Sequence, residues 1–145
     1  MPKKKGFEFL EHTADAYIAA YGKDLTEAFE NAALAMFETM TDTKKVKPLT
    51  ERTVEAKGSD KQSLLYNWLE KLLVIFEVEN LLLSKFIIEK ILPTDSGFTL
   101  TAKVFGEPYD PSKHRQKVGV KAVTYHQMEL DETSKGAVVK FILDI

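Results

Sequence analysis

The chain has 145 residues, a net charge of −2 and no cysteine. That length suits one domain, residues 1–145, burying about two-thirds of its unfolded surface without staples. The missing cysteine excludes disulfides, thiolate zinc sites and cysteine nucleophiles, and the near-even charge gives no general reason to bind nucleic acid.

The first elements are two short aromatic and β-branched runs, Gly6–Leu10 and Ala16–Tyr21, which read as strands. Gly22 closes the second, and Asp24 opens a helix with Glu27 three residues on as capping partner. Leu25, Ala28, Phe29, Ala32, Ala33, Met36 and Phe37 give that helix one apolar face until it fades near Thr41–Asp42. After a charged connector ending at Pro48, Glu51–Lys57 alternates like a strand and stops at Gly58. Asp60 caps a longer helix whose stripe, Leu64 to Phe76, is broad enough to bury against a sheet, with Trp68 as core. Phe86–Leu92 and Phe98–Phe105 read as a hairpin about the turn Thr94–Gly97. Gly106–Gly119 reads as a long loop, then Lys121–Leu130 and Ala137–Ile145 as a second hairpin. The order predicts an α+β fold: a largely antiparallel sheet with two helices packed on one face.

Four segments carry candidate chemistry. Glu11-His12-Thr13-Ala14-Asp15 lies at a bend between two strands, where an imidazole and a carboxylate can hold a metal or simply shape a turn. At the other end, Asp144 sits one residue before the α-carboxylate of Ile145. Should the last strand run beside the first ones, Asp144 approaches Asp15, giving oxygen ligands for a hard cation. In Lys121-Ala122-Val123-Thr124-Tyr125-His126, strand alternation puts Lys121, Val123 and Tyr125 on one face and His126 on the other. The loop with Glu107, Asp110 and His114 is long enough to be functional, or is a plain connector. No Gly-rich phosphate loop, serine-nucleophile elbow or zinc-helix motif is present. Nothing after Lys3, Lys4 and Lys5 resembles a signal peptide, and no apolar run reaches membrane-spanning length, so a soluble intracellular protein is expected.

Together, His12-Thr13-Ala14-Asp15, Gly106-Glu107 with Asp110 and His114, the string Lys121–His126 and the terminal Asp144 make the whole chain resemble the archease family. The resemblance implies a small cytoplasmic protein that is not itself an enzyme. It implies an activator of an RtcB-type RNA ligase in tRNA splicing, promoting the ligase's guanylylation and multiple turnover. It further implies a divalent-metal site (Ca²⁺, Mg²⁺ or Mn²⁺) on Asp15 and Asp144, with the Ile145 carboxylate as a further ligand. His12, Lys121 and His126 would be functional neighbours, and no sequence-specific nucleic-acid or membrane contact is expected. Three other readings compete: a chaperone-like modulator of a tRNA-modifying enzyme, a metal-dependent hydrolase, and an adaptor whose acids bind nothing.

Overall fold

A computed structural model describes residues 4–10 and 15–145. His12 and its neighbours at 11, 13 and 14 lie outside the described residues. In chain order the elements are β1 (Phe7–Leu10), β2 (Ala16–Gly22), α1 (Leu25–Met40), a 3-10 turn (Thr43–Lys45), β3 (Thr50–Gly58), α2 (Lys61–Glu79), β4 (Leu81–Thr94), β5 (Gly97–Pro108), β6 (Ala122–Val123), β7 (Glu129–Thr133) and β8 (Gly136–Asp144).

Both helices start where local chemistry demands. Asp24 accepts the Glu27 N–H at 2.9 Å, and the Glu27 carboxylate returns to the Lys23 N–H at 2.9 Å. Asp60 accepts the Ser63 N–H at 2.7 Å while the Ser63 hydroxyl accepts the Asp60 N–H at 3.1 Å, a reciprocal cap. Helix α2 ends on Asn80, which takes the left-handed conformation (φ 56°) that asparagine tolerates. Trp68 is fully buried, and its indole N–H donates to the Phe29 carbonyl at 3.0 Å, tying α2 to α1.

The fold is α+β and every strand pairing is antiparallel. The strands form two sheets rather than one. One runs β1-β2-β8, with β6 and β7 both along the far side of β8; the other is β3-β5-β4. The helices are shared between them: α1 packs on β2, β8 and β4, and α2 on β3, β4, β5 and β6. One core thus serves both sheets, which is why the two apolar stripes dominate the sequence.

Strand β5 runs on to Pro108, so Gly106, Glu107 and Pro108 belong to the sheet rather than to the expected loop Gly106–Gly119. Two further differences from the sequence reading are larger. Strand β4 begins at Leu81 rather than Phe86, because Leu81-Leu82-Leu83 follows the end of α2 directly and its apolar run hides the junction. The expected strand Lys121–Leu130 is interrupted. Ala122 faces Asp144 and Glu129 faces Lys140, so 129 − 122 = 7 steps on one side match 144 − 140 = 4 on the other. The three extra residues loop out around Thr124–Met128. There Gln127 has φ 52°, and the Met128 N–H closes a turn on the Tyr125 carbonyl at 3.1 Å. A β-strand cannot absorb three unpaired residues without leaving the ladder.

Candidate functional site

The pairing of β2 with β8 brings the two ends of the chain together. Its register ends with Ala16 opposite Leu143. One step further, the same register sets Asp15 abreast of Asp144. Opposed residues on neighbouring strands lie about 5 Å apart between Cα atoms. Asp15 is half-buried and Asp144 exposed. Because Leu143 is buried in the core, alternation puts the Asp144 position on the outward face. The Ile145 side chain packs against the edge of the core, which fixes the strand end beside these acids.

Lys121 reaches the same rim from the other side of β8. Its backbone N–H donates to the Asp144 carbonyl at 2.7 Å, next to the pairing of Ala122 with Asp144. Its side chain is exposed. In strand parity it goes with buried Val123, as expected, and so leaves β8 on the face opposite to Asp144. The backbones of Asp15, Asp144, Ile145 and Lys121 therefore lie at one sheet end, with the Lys121 side chain on the face opposite to Asp144.

His126 does not join them by strand alternation. From Ala122 onward the chain runs antiparallel to β8, away from Asp144, and His126 sits exposed in the looped-out turn. The Thr124 hydroxyl anchors that turn: it donates to the Ile142 carbonyl at 2.8 Å and accepts the His126 N–H at 3.2 Å. Tyr125 leaves the strand face altogether. Its ring stacks on Tyr66 of α2, with centroids 4.4 Å apart and planes 6° from parallel, and stays 52% exposed. The alternation expected over Lys121–His126 therefore ends at Val123.

The Gly106–His114 segment is exposed over most of its length but is tied down by a polar network whose two key side chains, Glu107 and His114, are buried. Gly106 is required sterically, since a Cβ there would lie 1.7 Å from the Leu82 carbonyl oxygen of β4. The next residue, Glu107, is buried and uses both carboxylate oxygens. One accepts from Lys113 Nζ at 2.8 Å; the other accepts from the Lys47 N–H at 2.8 Å and His114 Nε2 at 2.9 Å. His114 Nδ1 in turn accepts the Asp110 N–H at 2.9 Å, so the imidazole proton sits on Nε2 and points at Glu107. Burial opposes ionisation of Glu107, but the Lys113, Lys47 and His114 donors outweigh it and lower its pKa from 4.5 to about 2. The Ser112 hydroxyl and N–H similarly hold the Asp110 carboxyl below its usual range. Among the described residues, no buried side-chain nitrogen or oxygen lacks a partner. The burial of Glu107 and His114 escaped sequence reasoning; the tight Gly106 was its one local sign.

Among the described residues, no group of three or more His, Cys, Asp or Glu side chains is placed to hold a metal. The rim offers two carboxylates and the chain-end carboxylate, all oxygen donors of the kind a hard cation takes. No helix among the described residues is long and apolar enough to cross a membrane.

Comparison with known proteins bears on the whole chain. A family model described as the archease protein family matches residues 7–145. A protein named archease from Sulfurisphaera tokodaii is 48% identical over 139 residues, covering 96% of this chain and 98% of that one. Another, from Methanosarcina mazei, is 44% identical over 146 residues and covers 100% of both. Among solved structures, the solution structure of Methanobacterium thermoautotrophicum protein 1598 superposes with a TM-score of 0.85 at 48% identity, covering 98% of this chain and 100% of that one.

Proposed function

The chain belongs to the archease family, and from that premise we propose that it is an accessory protein of an RtcB-type RNA ligase. In this reading it acts in the cytoplasm, promotes guanylylation of the ligase and its repeated turnover in tRNA splicing, and performs no ligation itself. The observation that supports the reading is the register of β2 against β8, which ends with Ala16 opposite Leu143, one residue short of Asp15 and of Asp144.

Asp15, Asp144 and the Ile145 carboxylate would hold a divalent cation; all are oxygen donors, suited to Ca²⁺, Mg²⁺ or Mn²⁺. Such a cation supplies neutralisation of the charge that builds on phosphate oxygens during nucleotidyl transfer. The residues of this chain do the rest. Two carboxylates held side by side on paired strands need no ordering when the partner docks. The Ile145 side chain, packed on the core, keeps the chain end from swinging away. Lys121 presents an ammonium at the same rim, where it can pair with a phosphate or with an acid of the ligase. His126 and Tyr125, in the looped-out turn beside it, would extend the docking surface.

A guanylylation assay of an RtcB-type ligase, with and without this protein, tests the proposal. Asp15→Ala abolishes stimulation while the melting temperature stays that of the wild type. Stimulation by Asp15→Ala equal to wild type would sink the metal-site reading. A chaperone-like role is the second reading, and suppression of aggregation of an unrelated client would favour it.

A further inference from the structure

The Glu107–His114 network lies outside the proposed metal site, yet the chain runs from it directly to Lys121. From Tyr109 to Lys121 the backbone has almost no regular structure. It is held instead by a succession of bonds to the body of the fold. The Tyr109 N–H donates to the Asn80 carbonyl at 2.8 Å. His114, fully buried as a side chain, bonds Glu107 at the end of β5 and the Asp110 N–H within the segment. The Thr41 hydroxyl donates to the Arg115 carbonyl at 2.7 Å. Lys117 and Val118 donate their N–H groups to the Met40 and Thr39 carbonyls, at 2.9 and 3.2 Å, where α1 leaves carbonyls unpaired. The Lys117 ammonium binds Glu38 at 2.6 Å. Val120 is buried, and the next N–H is that of Lys121 on Asp144.

We infer that His114 and Glu107 are positioning residues for Lys121, setting through the segment 109–120 where Lys121 and β6 lie against β8. Strand β6 has only two residues, far too few to hold its own place in a sheet. Its position is therefore set by what flanks it: the Thr124 hydroxyl on the Ile142 carbonyl downstream and the segment 109–120 upstream. Only at His114 does the segment have a fully buried polar anchor, bonded on both ring nitrogens. The bond from the Asp110 N–H curls the segment back on itself, and the bond to Glu107 pins the curl to β5 and to Lys47. With the imidazole gone, Glu107 loses a donor, Asp110 its acceptor, and the segment the fixed point that sets its length toward Asp144. The functional consequence rests on the accessory-protein reading; the positioning does not.

Amide hydrogen exchange and ligase stimulation, measured together on the full chain, separate the two. In His114→Ala the Lys117, Val118 and Lys121 amides exchange at least tenfold faster than in the wild type, while Leu69 and Leu72 of α2 keep their protection. Ligase stimulation falls at least fivefold at a temperature where the variant is folded. Unchanged protection of Lys121 overturns the inference. A loosened Lys121 amide with full stimulation keeps the positioning and overturns its functional consequence, since the placement would then not matter to the ligase. If His114→Ala also loses protection in α2, Glu107→Gln reads the same amides, because it weakens the bond that His114 makes while keeping the size of the side chain. Loss confined to 109–121 in that variant supports the inference, and no change overturns it. A wild-type chain that stimulates no ligase defeats the accessory reading alone, and the exchange data still decide the positioning.

Discussion

Glu107 and the Asp15–Asp144 pair are acids at the ends of strands, and the fold treats them in opposite ways. Glu107 ends its strand inside the protein, where Lys113, Lys47 and His114 occupy both of its oxygens. Asp144 ends its strand at the rim, exposed, with a second acid one ladder step away. A buried carboxylate with every lone pair engaged is committed to structure. An exposed carboxylate at a strand end is left available to a partner or a cation. Sequence spacing does not separate the two cases; depth and donors do.

Stability measurements can break this contrast. Glu107→Ala leaves His114, Lys113 and the Lys47 N–H without their acceptor, and is expected to lower stability by about 3 kcal/mol in denaturant melts. The acid limb sharpens the same point. Glu107 has its pKa lowered from 4.5 to about 2, so its contribution is fully present above pH 4.5 and is lost as pH falls from 4.5 toward 2. Glu107→Gln removes that slope, which a series of denaturation midpoints against pH will show. Tyr125→Ala loses the stack on Tyr66, worth about 1 kcal/mol at this exposed site, read as a small fall in melting temperature. At the rim the effect on stability is smallest. Asp144→Asn changes it by less than about 0.5 kcal/mol in either direction, yet abolishes ligase stimulation in the guanylylation assay. An Asp144→Asn variant that is strongly destabilised would show that the rim acid is structural after all.

Much of the fold was legible from local chemistry. The caps at Asp24 and Asp60 and the stripes from Leu25 and Leu64 located both helices, because cap geometry and helical periodicity are short-range. Trp68 was legible as core for the same reason. The start of β4 was not, since Leu81–Leu83 continues the apolar run of α2 and only the left-handed Asn80 marks the break. The interruption at Thr124–Met128 was hidden because Tyr125 fits a strand pattern; what removes it from the strand is the ring of Tyr66, fifty-nine positions earlier (125 − 66 = 59).

The candidate site divides in the same way. Asp15, Asp144 and Lys121 were nameable from the sequence, and their meeting depended on a conditional: that the last strand runs beside the first ones. The β2–β8 register supplies it. His126 was nameable as the end of the Lys121–His126 string, and the three-residue excess against β8 puts it in a looped-out turn rather than on a strand face.

The sequence by itself determined where both helices lie, which of their faces are apolar, and which residue types are available for chemistry. Those follow from cap bonds, periodicity and side-chain identity within a few residues of each other. Only the tertiary structure decided that the strands form two sheets sharing two helices, that Glu107 and His114 are buried together, and that β8 runs beside β2. Each of those depends on pairing between residues far apart in the chain, where the gain comes from burying a common core.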